Sequence, residues 1–216
     1  MQDLIDFIQL RWDQWIELAI EHVILVVVAV AFATIIGVGL GVLVYRSRTL
    51  SELVTAIAAT ILTVPSFALF GLMLAWFGLG NTPAIIALVA YALLPIVRNT
   101  VTGLRGVDPA ISESARGMGM GNTATLVRID LPLAWPVILT GIRVSTMLIV
   151  SIAAIAAYIG AGGLGNWIFN GLSRFGSDVA MPLIVCGTIG VVVVAFALDF
   201  AYIGIGKLTT SRGIRD

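Results

Sequence analysis

Several residue patterns in this chain have the makings of reactive centres, and each can be held against the chemistry it would need. Gly160-Ala161-Gly162-Gly163-Leu164-Gly165 fits the spacing G-x-G-x-x-G, which lets backbone amides approach a pyrophosphate. That use requires a strand before the glycines, a helix after them and an acid about 20 residues on. Here the run follows a long apolar stretch, so a break in a membrane-crossing helix fits better, acting either as a gate or as a simple turn. Gly204-Ile205-Gly206-Lys207 hints at a phosphate loop but lacks the upstream glycine and the following Ser or Thr. His22 beside Glu21 is the only histidine, too few for a Ser/His/Asp set or a zinc site, and it reads as a residue of the membrane interface. Cys186 lies in an apolar run and reads as a small core residue. Arg143 and Asp199 fall in or near apolar stretches, where an ionisable group suggests function; they either serve a pore or subunit contact or reach for the interface.

The elements that would position these residues are set by composition. Of 216 residues, 59% are hydrophobic and 11% charged, with net charge +0 and a mean hydropathy of +1.07. Soluble domains carry roughly 25% charged residues. Most of this surface therefore faces lipid, and the neutral balance gives no reason to expect a nucleic-acid partner. A span needs about 20 apolar residues. Five stretches qualify, at 22–45, 53–77, 83–103, 134–159 and 179–205, the second and third divided by the turn formers Gly78 to Pro83. The fold expected is all-α and polytopic, since period-2 alternation is absent. Pro65 and Pro95 interrupt backbone hydrogen bonding inside spans two and three, as kinks around a path or as plain bends. Gly37-x-x-x-Gly41 offers a small-residue face in span one, for packing within the chain or between subunits.

Basic residues set the direction. Arg46 and Arg48, the group Arg98, Arg105, Arg116 and Arg128, and Lys207, Arg212 and Arg215 all fall on one side of a five-span chain. The other side holds Arg11 and Arg174 with a surplus of acids. By the positive-inside rule the N-terminus is outside and the C-terminus cytoplasmic. Residues 1–18 are expected to form an outer-face interfacial segment, 19–205 the membrane domain and 206–216 a cytoplasmic tail. Met1-Gln2-Asp3 opens with acid rather than base, so the N-terminus is expected to be retained. Trp76, Trp135 and Trp167 fall near span ends, as an aromatic belt would.

Spans three and four are joined by the longest polar connection. Asp108 then Pro109 is a helix start, an oxygen acceptor at the N-cap followed by proline at N1. Ser112 and Glu113 lie in that short helix, 109–117, and Gly117, Gly119 and Gly121 end it and turn the chain. Such a rigid knob on the cytoplasmic face can seat in a socket on another protein.

Glu113-Ser114-Ala115, Gly119 and Ile129-x-Leu131-Pro132 resemble, at matching spacing, the EAA motif of binding-protein-dependent ABC importer permeases, with Ser114 for the middle alanine. The resemblance implies a type I permease fold in a bacterial cytoplasmic membrane. It makes 109–117 the coupling helix, with Asp108 and Pro109 opening it. A narrower likeness, at Thr63 to Leu69, Leu94 to Thr100, Val107-Asp108-Pro109 and Ile159 to Gly165, is to the osmoprotectant permeases for glycine betaine, choline or carnitine. Methionine-importer permeases share Gly162-Gly163-Leu164-Gly165, so methionine or another small amino acid is the alternative cargo.

The resemblance further implies a transporter subunit without catalysis of its own. ATP and magnesium would be bound by two copies of a separate cytoplasmic ATPase. A second permease chain, identical or a sister, and an external substrate-binding protein complete the expected partners. The pore or gate candidates are Pro65, Pro95, Gly160, Gly162, Gly163 and Gly165. A stand-alone channel would need no coupling helix, and a membrane enzyme would need a catalytic cluster that the spans do not contain.

Overall fold

A computed structural model describes residues 2–210. Its elements are helical, with no strand among the described residues. They are α1 (Gln2–Leu10), α2 (Trp12–Val44), α3 (Arg48–Thr63), α4 (Ser66–Phe77), α5 (Asn81–Arg105), α6 (Pro109–Gly117), α7 (Asn122–Thr125), α8 (Leu131–Ala156), α9 (Gly165–Ser173) and α10 (Ala180–Thr209). A π-helical turn, Leu126–Asp130, joins α7 to α8, and a 3₁₀ turn, Ala157–Ile159, extends α8.

Four continuous helices are long and apolar enough to cross a membrane: α2, α5, the composite Asn122–Ile159, and α10. The fifth expected span is not one helix. Its halves, α3 and α4, meet at 96°. Proline drives the residue before it out of the α region and donates no N–H. Val64 accordingly takes φ −67°, ψ 129°, and α4 starts afresh after Pro65. Hydrogen bonds trace the pair along α5. Arg105, the last residue of α5, donates to Ser51 Oγ of α3 at 2.7 Å; Tyr91, midway along α5, donates its hydroxyl to Val64 O at 2.8 Å. Beyond α4, Gly80 N donates to Ile159 O, beside the start of α5. The broken pair thus runs from one end of the bundle to the other, and counted as one span it brings the crossings to five and leaves α1 and the end of α10 on opposite ends.

The core is α5 held between α2 and α8, and glycines set the approach. A Cβ on Gly37 would lie 2.7 Å from Ile96 Cγ2, and one on Gly41 would lie 2.6 Å from Thr100 Cβ. On the other side, a Cβ on Gly141 would meet Asn99 Cβ at 2.6 Å and Pro95 O at 2.7 Å. Small residues allow membrane helices this contact, which compensates for the lack of a hydrophobic drive between them. The Gly37/Gly41 face is therefore spent within the chain. Pro95, unlike Pro65, stays inside a continuous helix, where Ser145 of α8 donates to the neighbouring Ala92 carbonyl at 2.7 Å.

Several expectations need correcting. The expected segment 1–18 is not one element: α1 stops at Leu10, Arg11 (φ −125°, ψ 22°) breaks the helix, and Trp12, Trp15 and Ile16 belong to α2. Trp15 Nε1 donates to Cys186 O across to α10, and Phe7 of α1 packs edge-on against Trp167. Trp167 is therefore buried beneath α1 and α10 rather than sitting in a belt. The helix that carries the fourth span begins upstream of 134, at Asn122, because the π turn keeps the polar residues before the span helical. α9 was not expected at all. Residues 206–209 of the expected tail continue α10, while 211–216 lie outside the described residues.

Candidate functional site

α6 is exposed on one end of the bundle, and local chemistry fixes both its ends. Asp108 Oδ1 accepts from Ala110 N at 2.9 Å with Pro109 at the first helical position, satisfying an amide that has no partner within the helix. At the other end Gly119 N donates to Arg116 O and Met120 N to Ala115 O. Those two bonds are the paired closure of a Schellman motif, which requires a left-handed residue between them. Gly119 supplies it at φ +90°. Of the three glycines expected to turn the chain, only this one has a positive φ. The glycine in the motif is thus explained by backbone geometry: it is the helix stop.

The knob stands on a braced base. Arg105 donates to Tyr45 O at 2.7 Å, to Ser47 O at 3.2 Å and to Ser51 Oγ, tying together the ends of α2, α3 and α5. Cations favour helix C-termini, where the free carbonyls of α2 lie. Between this base and α6 is a cleft of ≈ 330 Å³ where Glu113, Arg116, Arg46 and Asp130 converge. Ser112 Oγ donates to Asp130 Oδ1 at 2.8 Å, joining α6 to the π turn. α6 exposes Ile111, Ser114 and the charged Glu113 and Arg116, and Met118 just past it is exposed too.

The second half of the motif sits at the start of the fourth span. Leu131 N reaches back to Leu126 O, five residues, which accommodates Pro132 in the next turn. Leu131 and Pro132 line a groove with Val38, Val127 and Trp135, and Ile129 is half-buried. Asp108, Pro109, Glu113, Ser114, Ala115, Gly119, Ile129, Leu131 and Pro132 therefore occupy one end of the molecule. Ala115 is buried against the base and Ser114 donates to Ala110 O.

The pore candidates are scattered over the rest. Gly160, Gly162, Gly163 and Gly165 gather at the opposite end. Gly162 N donates to Asn81 Oδ1 at 3.1 Å, and Gly163 N to Glu21 Oε2 at 3.0 Å. A Cβ on Gly165 would lie 1.9 Å from Ala154 O. The break in the helix is thus a turn pinned by hydrogen bonds and close packing. His22 is not at an interface: it is buried under this turn, its Nε2 donating to Val150 O at 3.0 Å. Pro65 lies elsewhere, at the exposed α3–α4 break, and Pro95 within the α5 core.

Two features escaped the sequence reading. Arg143 and Asp199 form a bidentate ion pair between α8 and α10, at 2.6 and 2.7 Å. Phe67, Tyr158 and Phe169 bring three rings together. Lying tens of residues apart, neither set carries a local signal. No group of three or more His, Cys, Asp or Glu that could hold a metal occurs among the described residues.

The family profile described as the binding-protein-dependent transport system inner membrane component matches residues 30–207. The carnitine transport permease protein OpuCB of Listeria monocytogenes is 39% identical over 219 residues, covering 100% of this chain and 97% of that protein. The osmoprotectant import permease protein OsmW of Salmonella typhimurium is 43% identical over 203 residues, 92% of this chain and 93% of that protein. The choline transport system permease protein OpuBB of Bacillus subtilis is 34% identical over 215 residues, at 100% and 97% coverage. Among solved structures, an inward-facing MetNI methionine ABC transporter shares the fold, with TM-score 0.79, 22% identity, and 91% and 96% coverage.

Proposed function

The chain belongs to the family of binding-protein-dependent transport system inner membrane components, and we propose that it carries a quaternary ammonium osmoprotectant across the bacterial cytoplasmic membrane. A permease of this family works with a separate ATP-binding subunit and a substrate-binding protein. The observation that carries the reading is α6: a capped, braced helix exposed on one end of the bundle, inside the region the family profile covers.

In this reading two permease chains, identical or sister, form the path between them, since each chain brings one such helix. Two ATPase subunits bind ATP and magnesium and draw together, carrying α6 with them. α6 is too short and too firmly closed at both ends to absorb that motion. The Ser112–Asp130 bond passes it to the π turn and so to α8, which lies against α5. The helices then exchange an outward opening for an inward one, a rigid-body change driven from a distant site. The α6 end is cytoplasmic, on the strength of Arg46, Arg48, Arg98, Arg105, Arg116 and Arg128 gathered there.

The cargo follows the relatives named for carnitine, choline and glycine betaine. The likeness to the methionine transporter supports fold alone, at 22% identity. Vesicles holding the whole complex, loaded with ATP on the α6 side, test both points. Labelled choline, carnitine or glycine betaine accumulates, and unlabelled methionine in excess leaves that uptake unchanged. Uptake of methionine with none of the three would replace the cargo and keep the mechanism.

A further inference from the structure

Three aromatic side chains from separate elements meet near the α9 end of the bundle. Phe67 lies in the first turn of α4, Tyr158 in the 3₁₀ turn that ends the fourth span, and Phe169 in α9. Their centroids stand 5.4 Å (Phe67–Tyr158), 6.2 Å (Phe67–Phe169) and 5.8 Å (Tyr158–Phe169) apart, with interplanar angles of 77°, 87° and 47°. Edge-to-face packing is favourable because the positive rim of one ring meets the negative face of the other. The cluster is not closed over: Phe67 is 50% exposed and Tyr158 67%.

This aromatic surface adjoins backbone that does not belong against lipid. Val64 and Pro65 are exposed and non-helical at the α3–α4 break, level with the middle of α5. Irregular backbone at membrane depth is tolerated where protein or a water-filled cavity covers it. Phe67 follows that break by two residues, on the way to Tyr158.

The chemistry of the cargo then selects a use for the rings. Carnitine, choline and glycine betaine share a trimethylammonium group, which has no N–H to donate and cannot be hydrogen-bonded by a carbonyl or carboxylate. The face of an aromatic ring attracts such a cation, each exposed face contributing about two- to five-fold in occupancy. Weak attraction suits a path, because cargo held firmly would not leave.

We infer that Phe67, Tyr158 and Phe169 form a transient cation–π station for the trimethylammonium head of the cargo, inside the permease itself. The inference rests on the osmoprotectant reading given above and adds a substrate-contacting site to it.

Fluorination tests it with little change of shape, since each fluorine withdraws electron density from the ring face. In the full complex in vesicles, Tyr158→Phe serves as the reference, and phenylalanines carrying one, two and three fluorines are placed at the same position. Uptake of labelled choline per assembled complex, at saturating loaded binding protein, is expected to fall stepwise, by about two- to five-fold at three fluorines. Phe67→Leu and Phe169→Leu lower it as well. A flat fluorine series, with choline still imported, overturns the station and leaves the cargo reading standing. A wild-type complex that imports no choline, carnitine or glycine betaine overturns both.

Discussion

Ser112 on the exposed helix α6 and Asp130 in the π turn are bonded at 2.8 Å, and Asp130 is 6% exposed. That bond is a side-chain link between α6 and the π turn that leads into the following span. Removing a hydrogen bond to a charged group costs about 1.5–3 kcal/mol when the partner stays buried. Ser112→Ala should let the complex assemble yet move less cargo for each ATP hydrolysed, and Ser112→Thr should restore part of the loss. Uptake and hydrolysis measured in the same vesicles give the ratio; an unchanged ratio for Ser112→Ala would remove this bond from the coupling route.

Gly119 offers a different kind of test, because a Cβ there meets nothing within 4 Å. The obstacle is its φ of +90°, not space. A side chain in that conformation costs about 1 kcal/mol, borne by the local closure of α6 rather than by the bundle. Gly119→Ala should leave insertion and thermal stability close to wild type and weaken uptake. Gly119→Trp, adding bulk on the docking face, should abolish it. Robust ATP-driven uptake by Gly119→Trp would mean that this face does not dock.

How much of this was legible beforehand depended on how local the determining physics was. The limits of α6 could be read because Asp108, Pro109 and Gly119 act on their immediate neighbours. The five crossings could be read because apolar length is a property of the stretch itself. The 96° turn could not: Pro65 announces a break, but its angle is set by Tyr91 and the packing of α4 on α5. His22 misled because polarity suggests an interface, whereas a carbonyl on α8 and a turn more than a hundred residues away create its burial. α9 was missed because Gly165 to Ser173 is short and contains two glycines, and its helix depends on Trp167 finding a buried seat. The Arg143–Asp199 pair and the three-ring cluster arise only from the fold.

Gly165 and Gly39 form a matched pair for the packing argument. A Cβ on Gly165 would lie 1.9 Å from a backbone carbonyl that cannot swing away, whereas one on Gly39 would enter open space. Overpacking a tight site costs about 1–3 kcal/mol or more. Gly165→Ala should lower the unfolding temperature in detergent by several degrees, and Gly39→Ala should not. Equal stability of the two variants would contradict the pinned turn.

Arg143 and Asp199 are expected to depend on each other. Replacing either alone leaves a charge in the apolar zone between α8 and α10, so Arg143→Leu and Asp199→Leu should each reduce the folded yield. The double substitution removes both charges and should recover much of it. Yield by size-exclusion chromatography reads the cycle; a double variant as poor as the worse single one would indicate a role beyond mutual neutralisation.

The central claim, that α6 is where the ATPase docks, is tested most directly by cross-linking from opposite ends of the molecule. With Cys186 replaced by Ser, single cysteines are introduced by Met118→Cys and Phe175→Cys; the native residues are 78% and 79% exposed, Met118 just past α6 and Phe175 just past α9. A short bifunctional maleimide applied to the assembled complex should join the Met118→Cys chain to the ATPase and leave the Phe175→Cys chain unlinked to it. Linkage to the ATPase from Phe175→Cys and not from Met118→Cys would contradict both the docking role of α6 and the orientation built on it.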